Sequence, residues 1–172
     1  AMMLQIESLA ARIPDELRPV LDELRETARA VATDVRGIAA RLRPQGMLAG
    51  YHNHNIEFKP MDGELPWDTF FGGTTKDVVM QLDTGNAREG GADPSEFLAK
   101  YPGRAITVHL KEYSATNPAA YVGDGDEDWA KVFSLCETIG KTKWYIVEYE
   151  VPGVSPLNAV AKCVENLHKM GK

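Results

Sequence analysis

Apolar positions along this chain follow two rhythms, a helical one at the front and a strand-like one behind it. Between residues 14 and 43, Val20, Leu21, Leu24, Ala28, Val31, Val35, Ile38 and Leu42 recur every three or four places, the period of a helix. Pro14 suits the helix start, and Pro19 fits either its first turn or a break into two helices. Gly46 ends the segment. Four short apolar runs follow, at 47–52, 78–82, 105–110 and 144–147, and each passes into polar or charged residues. Between them lie a short helical stretch at 67–71 and helix starts at Asp93-Pro94-Ser95-Glu96 and Asp126-Glu127-Asp128-Trp129. A last helix, over 155–170, carries Leu157, Val160, Val164 and Leu167 on one side.

Strand followed by helix, four times over, predicts an α/β fold with a parallel sheet. The pattern reads as a single domain over 1–172: a helical N-terminal segment at 1–45, then four strand-helix units at 46–172. Two loops are unusually polar, 55–76 and 111–128. Loops that leave the C-terminal ends of parallel strands are where α/β proteins keep their chemistry.

Composition narrows the function. A length of 172 residues with 44% hydrophobic content supports one buried core. A formal net charge of -6 argues against a nucleic-acid surface, which needs clustered Lys and Arg, and favours a small-molecule substrate. Cys136 and Cys163 sit in helix-like stretches without paired-Cys metal spacing and read as reduced core residues of a cytoplasmic protein. No run of about 18 apolar residues predicts a membrane span, and the start has no basic region leading into a long apolar run.

The strand ends carry the candidate chemistry. In an extended strand His52 and His54 point to the same face, so both imidazoles can serve one site. Asp83 closes the second run, and either faces a site there or caps the bend at Thr84-Gly85. His109 lies at the end of the third run. Glu148 follows the fourth, where burial of a carboxylate demands a partner that a cation would supply. A mixed set of His, Asp, His and Glu suits a divalent ion such as Mn²⁺, Co²⁺ or Zn²⁺.

Five motifs in order, GYHNHNIEF (50–58), QLDTGNAREGGADP (81–94), VHLKEY (108–113), GDGDEDW (123–129) and WYIVEYE (144–150), resemble the xylose isomerase-like sugar phosphate isomerase/epimerase superfamily, in its YHNH-bearing branch. The resemblance covers the chain from about residue 46 onward. It implies a TIM barrel with a divalent metal (Mn, Co, Zn or Mg) at its C-terminal face and a sugar or polyol substrate. It also implies metal ligation by Asp83, His109 and Glu148. The family's first glutamate ligand has His52 in its place, with His54 or Glu57 as the other contenders. Lys111 resembles the lysine of the family's HLK motif, and with Asn86 is expected to contact substrate. The 123–128 stretch is expected to loop and cap the next helix through Asp126 or Asp128.

Metal-assisted loss of a proton from a hydroxy-carbonyl sugar would yield an enediolate, with Glu148 as ligand and base and His54 or Glu57 returning the proton. Return to a different carbon or face makes the reaction an isomerisation or an epimerisation. A full TIM barrel has eight strands over typically ~250 residues, so four units make a partial one. Its open inner face and strand edges predict association, as a homodimer or with a partner chain completing the barrel. The N-terminal helix folding over that face is the other way to cover it. A non-catalytic metal-binding or structural subunit is the alternative function, and a nuclease on the related barrel is disfavoured by the acidic balance.

Overall fold

The computed structural model describes residues 18–61 and 63–172; Pro14 and the rest of 1–17 lie outside them. Among the described residues the sheet has four parallel strands in sequence order: β1 (Gly50–His52), β2 (Val79–Asp83), β3 (Thr107–Leu110) and β4 (Trp144–Val147). Strand order that never reverses is that of a barrel wall. Helices α1 (Arg18–Leu42), α2 (Pro66–Gly73), α3 (Thr84–Glu89), α4 (Pro94–Lys100), α5 (Trp129–Leu135) and α6 (Pro156–Lys169) accompany the sheet, with a π turn at Cys136–Gly140 continuing α5 and short 3-10 turns at Arg43–Gln45 and Ile56–Phe58.

Pro19 lies within α1 and does not split it. Ala32, Val35 and Ala39 turn inward at helical spacing, and the small side chains let α1 lie close to α2, with Ala32 3.6 Å from where a side chain on Gly73 would begin. The helix therefore joins the outer layer beside α2 and does not cross the open sheet face. The side chains of Val20, Leu21, Leu24 and Ala28 lie outside the described set.

β2 is buried on both faces apart from Gln81, as expected of a strand with helices behind it and a barrel interior in front. Behind the sheet, Phe58, Trp67, Phe71 and Phe97 form an aromatic cluster with ring centroids 4.4–6.4 Å apart. At the opposite end of the strands from the site, buried Arg104 donates to the carbonyls of Val78 (3.1 Å) and Phe71 (2.9 Å) and to the Thr74 hydroxyl (2.7 Å). It pins the turn before β2 to the loop before β3. Cys136 and Cys163 are buried, and burial pushes the Cys136 thiol up to about 11, well away from reactivity.

Two sequence expectations need correction. The first apolar run becomes a strand only over Gly50–His52, because Met47 and Leu48 are exposed ahead of it. On α6 the buried stripe is Ala159, Cys163, Asn166 and Leu167, while Leu157 (84% exposed), Val160 and Val164 face outward. Asn166 wins an inward place by donating to the Val122 carbonyl at 3.0 Å, which periodicity of apolar residues cannot register.

Two glycines give a paired prediction. A Cβ on Gly85 would lie 2.8 Å from the Glu112 carbonyl oxygen and 2.7 Å from Lys111 Cγ, so Gly85→Ala should cost on the order of 1–3 kcal/mol. Gly37, in the exposed middle of α1, has nothing within 4 Å, and Gly37→Ala should stabilise by about 0.5–1 kcal/mol. Urea unfolding of both variants checks the opposite signs.

Candidate metal centre

Four side chains from the four successive strand ends, those of His52, Asp83, His109 and Glu148, each bring one potential ligand atom within 4.8 Å of the others. Local chemistry explains how each arrives there. Asp83 is the last residue of β2 and also the N-cap of α3: its Oδ1 accepts the Asn86 N–H at 2.6 Å. The carboxylate thus serves both readings of the sequence, since Oδ2 remains buried without a hydrogen-bond partner among the described residues. His109 lies opposite Asp83 in the β2–β3 register, and its Nδ1 is 2.6 Å from Glu148 Oε2. His52 Nε2 faces the same Glu148 oxygen at 3.9 Å, and the His52 and His109 ring centroids are 4.4 Å apart.

Lys111 stands on the other side of Glu148. Its Nζ donates to Glu148 Oε1 (3.1 Å), Asn86 Oδ1 (3.0 Å) and Glu150 Oε2 (2.8 Å), so Lys111 and Asn86 meet beside the four-residue group. His54 and Glu57 do not join that group. β1 ends at His52, so strand alternation does not carry to His54, which is exposed with its ring 5.6 Å from that of His52. Glu57 accepts from the Tyr51 hydroxyl (2.6 Å) and the His54 N–H (2.9 Å), fixing the turn after β1.

Three polar residues that sequence reading passed over hold the site together. Buried Asn53 accepts from the Asp83 N–H (2.8 Å) and donates to the Asp83 carbonyl (3.1 Å), so its amide acts as one more rung between β1 and β2. The Thr84 hydroxyl bonds both the carbonyl (2.7 Å) and the N–H (3.2 Å) of Lys111, tying β2 to β3. Glu112 accepts from Trp129 Nε1, Gly123 N–H, Tyr113 N–H and Glu127 N–H, organising the 111–128 loop. Asp128 caps α5 through the Lys131 N–H, and Asp126 accepts from Ala115 across the loop. The only sequence signal for Asn53 was its place between two histidines, which drew attention to them.

The electrostatics divide two carboxyls. Burial, reinforced by the Glu148 charge and only partly offset by the Asn86 N–H, pushes Asp83 up to about 8. Glu148 is also raised by burial, but donation from His109 and Lys111 outweighs this and holds it below the usual range. Burial, with His109 nearby, lowers His52 and keeps its imidazole neutral. A neutral imidazole, an ionised Glu148 and a buried Asp83 oxygen without a partner together form a donor set that a divalent cation fits.

No protein-family model and no curated protein sequence matches the chain. Solved structures do. A sugar phosphate isomerase/epimerase from Parabacteroides distasonis is 25% identical with a TM-score of 0.73, over 83% of this chain and 54% of its own. An AP endonuclease of family 2 from Brucella melitensis is 21% identical with a TM-score of 0.58, over 82% and 55%. An L-ribulose 3-epimerase is 17% identical with a TM-score of 0.54, over 84% and 46%. The chain thus has the α/β fold of xylose isomerase-like TIM-barrel proteins, and spans about half the length of the structures it matches. Among the described residues no helix is long and apolar enough to cross a membrane.

Asp83 makes the site pH-sensitive. In the metal-free fold its contribution to stability is complete below the unfolded carboxyl value of 3.8 and is lost as pH rises to about 8, because the folded chain keeps a proton that the unfolded chain has released. A bound cation displaces that proton. The affinity for Mn²⁺ or Zn²⁺ should therefore rise with pH between about 5 and 8, by up to about tenfold per unit. Competition with a chelating dye at several pH values checks this, and a flat profile would contradict it.

Proposed function

We propose that this chain carries the metal and proton-transfer machinery of a sugar isomerase or epimerase, acting through an enediolate. The convergence of His52, Asp83, His109 and Glu148 on one point, with the Lys111 ammonium against Glu148, is the observation that carries this reading. A divalent ion such as Mn²⁺, Co²⁺, Zn²⁺ or Mg²⁺ held by those four residues would supply Lewis acidity to adjacent oxygens of a hydroxy-carbonyl substrate.

The chain's own groups do the rest. Glu148, kept ionised by His109 and Lys111, takes the proton from the hydroxyl-bearing carbon next to the carbonyl. Lys111, oriented by Asn86, donates to a substrate oxygen and offsets its developing negative charge. His54, exposed at the rim, returns a proton to the other carbon or face; the carboxylate of Glu57 is engaged in holding the turn. A non-catalytic metal-binding subunit is the second reading, favoured by one observation: the chain covers only about half of each structure it matches. The Brucella endonuclease supports the shared fold, while a net charge of -6 weighs against a nucleic-acid substrate.

The partner we propose is a second copy of this chain. The concave face leaves Trp144 (67% exposed) and Ile146 uncovered on β4 and Leu48 ahead of β1. The flanking helices show Leu157, Val160 and Val164 on α6, and Val31 and Ile38 on α1. Both lateral margins are thus apolar, and two halves related by a two-fold axis along the barrel would set β4 of each beside β1 of the other, all parallel.

Two measurements test these proposals. Metal-loaded protein should exchange a carbon-bound proton of a ketose or aldose with solvent deuterium, and Glu148→Gln should lower the rate by about 10²–10⁴-fold. Exchange absent across a broad sugar panel, with metal confirmed as bound, would leave the non-catalytic reading. Light scattering at micromolar concentration should give the mass of two chains; a monomer that binds no apolar dye would rule out the pairing.

A further inference from the structure

Beside the four-residue group lies a cleft of about 510 Å³ whose lining includes Lys111, Glu148, Glu150, Glu112 and Glu89. We infer that this cleft selects an uncharged sugar and rejects its phosphate ester; the inference rests on the proposed function and narrows its substrate class.

The lining balances four carboxylates against a single ammonium, and each N–H of that ammonium already has an acceptor. Its three N–H groups are spent on Asn86, Glu148 and Glu150. The guanidinium of Arg88 is turned elsewhere, bidentate to Glu127 at 2.8 and 3.0 Å. The N–H of Asn86, at the start of α3, is already taken by Asp83. A phosphate dianion entering here would have to displace a carboxylate from Lys111 and would meet the negative charges of the other carboxylates in the lining.

A sugar hydroxyl faces no such conflict. It accepts and donates at once, so it can insert between Lys111 Nζ and the Glu150 carboxylate and keep both satisfied. Glu150 is the partner free to yield, being 68% exposed at its side chain, whereas Glu148 is held by His109 as well. The opposite wall is apolar, formed by Pro118, Ala119 and Val151 with Tyr149, whose hydroxyl is tied back to the Ala119 carbonyl at 3.0 Å. Such a wall matches the C–H face of a sugar ring.

The test measures binding, by ligand-observed NMR on metal-loaded protein, for a panel of ketohexoses and aldohexoses, each paired with its own 6-phosphate. The neutral member of a binding pair should be favoured by about tenfold or more, and Glu150→Lys should narrow that ratio by about tenfold. A Glu150→Gln variant, isosteric at an exposed position, should narrow it less. A phosphate ester that binds as tightly as its parent sugar overturns the inference, and so does failure of both series to bind, or a ratio that Glu150→Lys leaves unchanged. Neutral sugars that bind without any deuterium exchange would sink the isomerase reading and leave this one standing.

Discussion

The structure turns on the burial of the Asp83 carboxyl at the junction of β2 and α3. A carboxylate there is costly, and the fold accepts the cost by giving each oxygen a separate duty. Oδ1 starts a helix, and Oδ2 is left facing two imidazoles and Glu148 with no donor of its own among the described residues. Everything around it is arranged to keep that geometry. Asn53 grips both backbone groups of Asp83, Thr84 ties β2 to β3, and the absence of a side chain on Gly85 lets Lys111 and the Glu112 carbonyl lie close against the end of β2.

From this follows the division of charge in the site. The more deeply buried Asp83 takes the proton when no cation is present, and Glu148, bonded by His109 and Lys111, stays ionised. Two carboxyls a few ångströms apart thus differ because Asp83 is the more deeply buried and has one backbone donor, whereas Glu148 is bonded by both His109 and Lys111. Lys111 belongs to both halves of this arrangement: it stabilises Glu148 within the four-residue group and, through Glu150, shapes the cleft beside it. Charge in the site and charge preference in the cleft are therefore coupled through one side chain.

The same curvature that gathers the four strand ends leaves the other side open. A sheet whose order never reverses must keep bending until it closes, and four strands go halfway. Among the described residues the helices do not compensate. α1 spends its small residues on α2, and α6 turns Leu157, Val160 and Val164 away from the core. The uncovered surface lies along the two margins where barrel neighbours would sit.

How much of this was legible in the sequence depended on the range of the interaction. Periodicity and turn chemistry are local, so the strand-helix alternation, a helix start at Asp126 or Asp128 and the placement of His52, Asp83, His109 and Glu148 at strand ends could be read from residue order. Long-range pairing was not legible. The bonds of Asn53 to Asp83 span 30 residues and those of Lys111 to Glu148 span 37, and only the parallel register brings such partners together. Local rules also failed where a contact overrode them: strand alternation placed His54 with His52, but the strand ends at His52, and the apolar count on α6 favoured Leu157 where tertiary packing chose Ala159 and Asn166. The sequence by itself determined which chemical groups stand at the ends of which strands, because that follows from short-range pattern. Tertiary structure alone decided which of them meet and which oxygen of Asp83 is left without a partner, because distance and burial arise only when the strands are laid side by side.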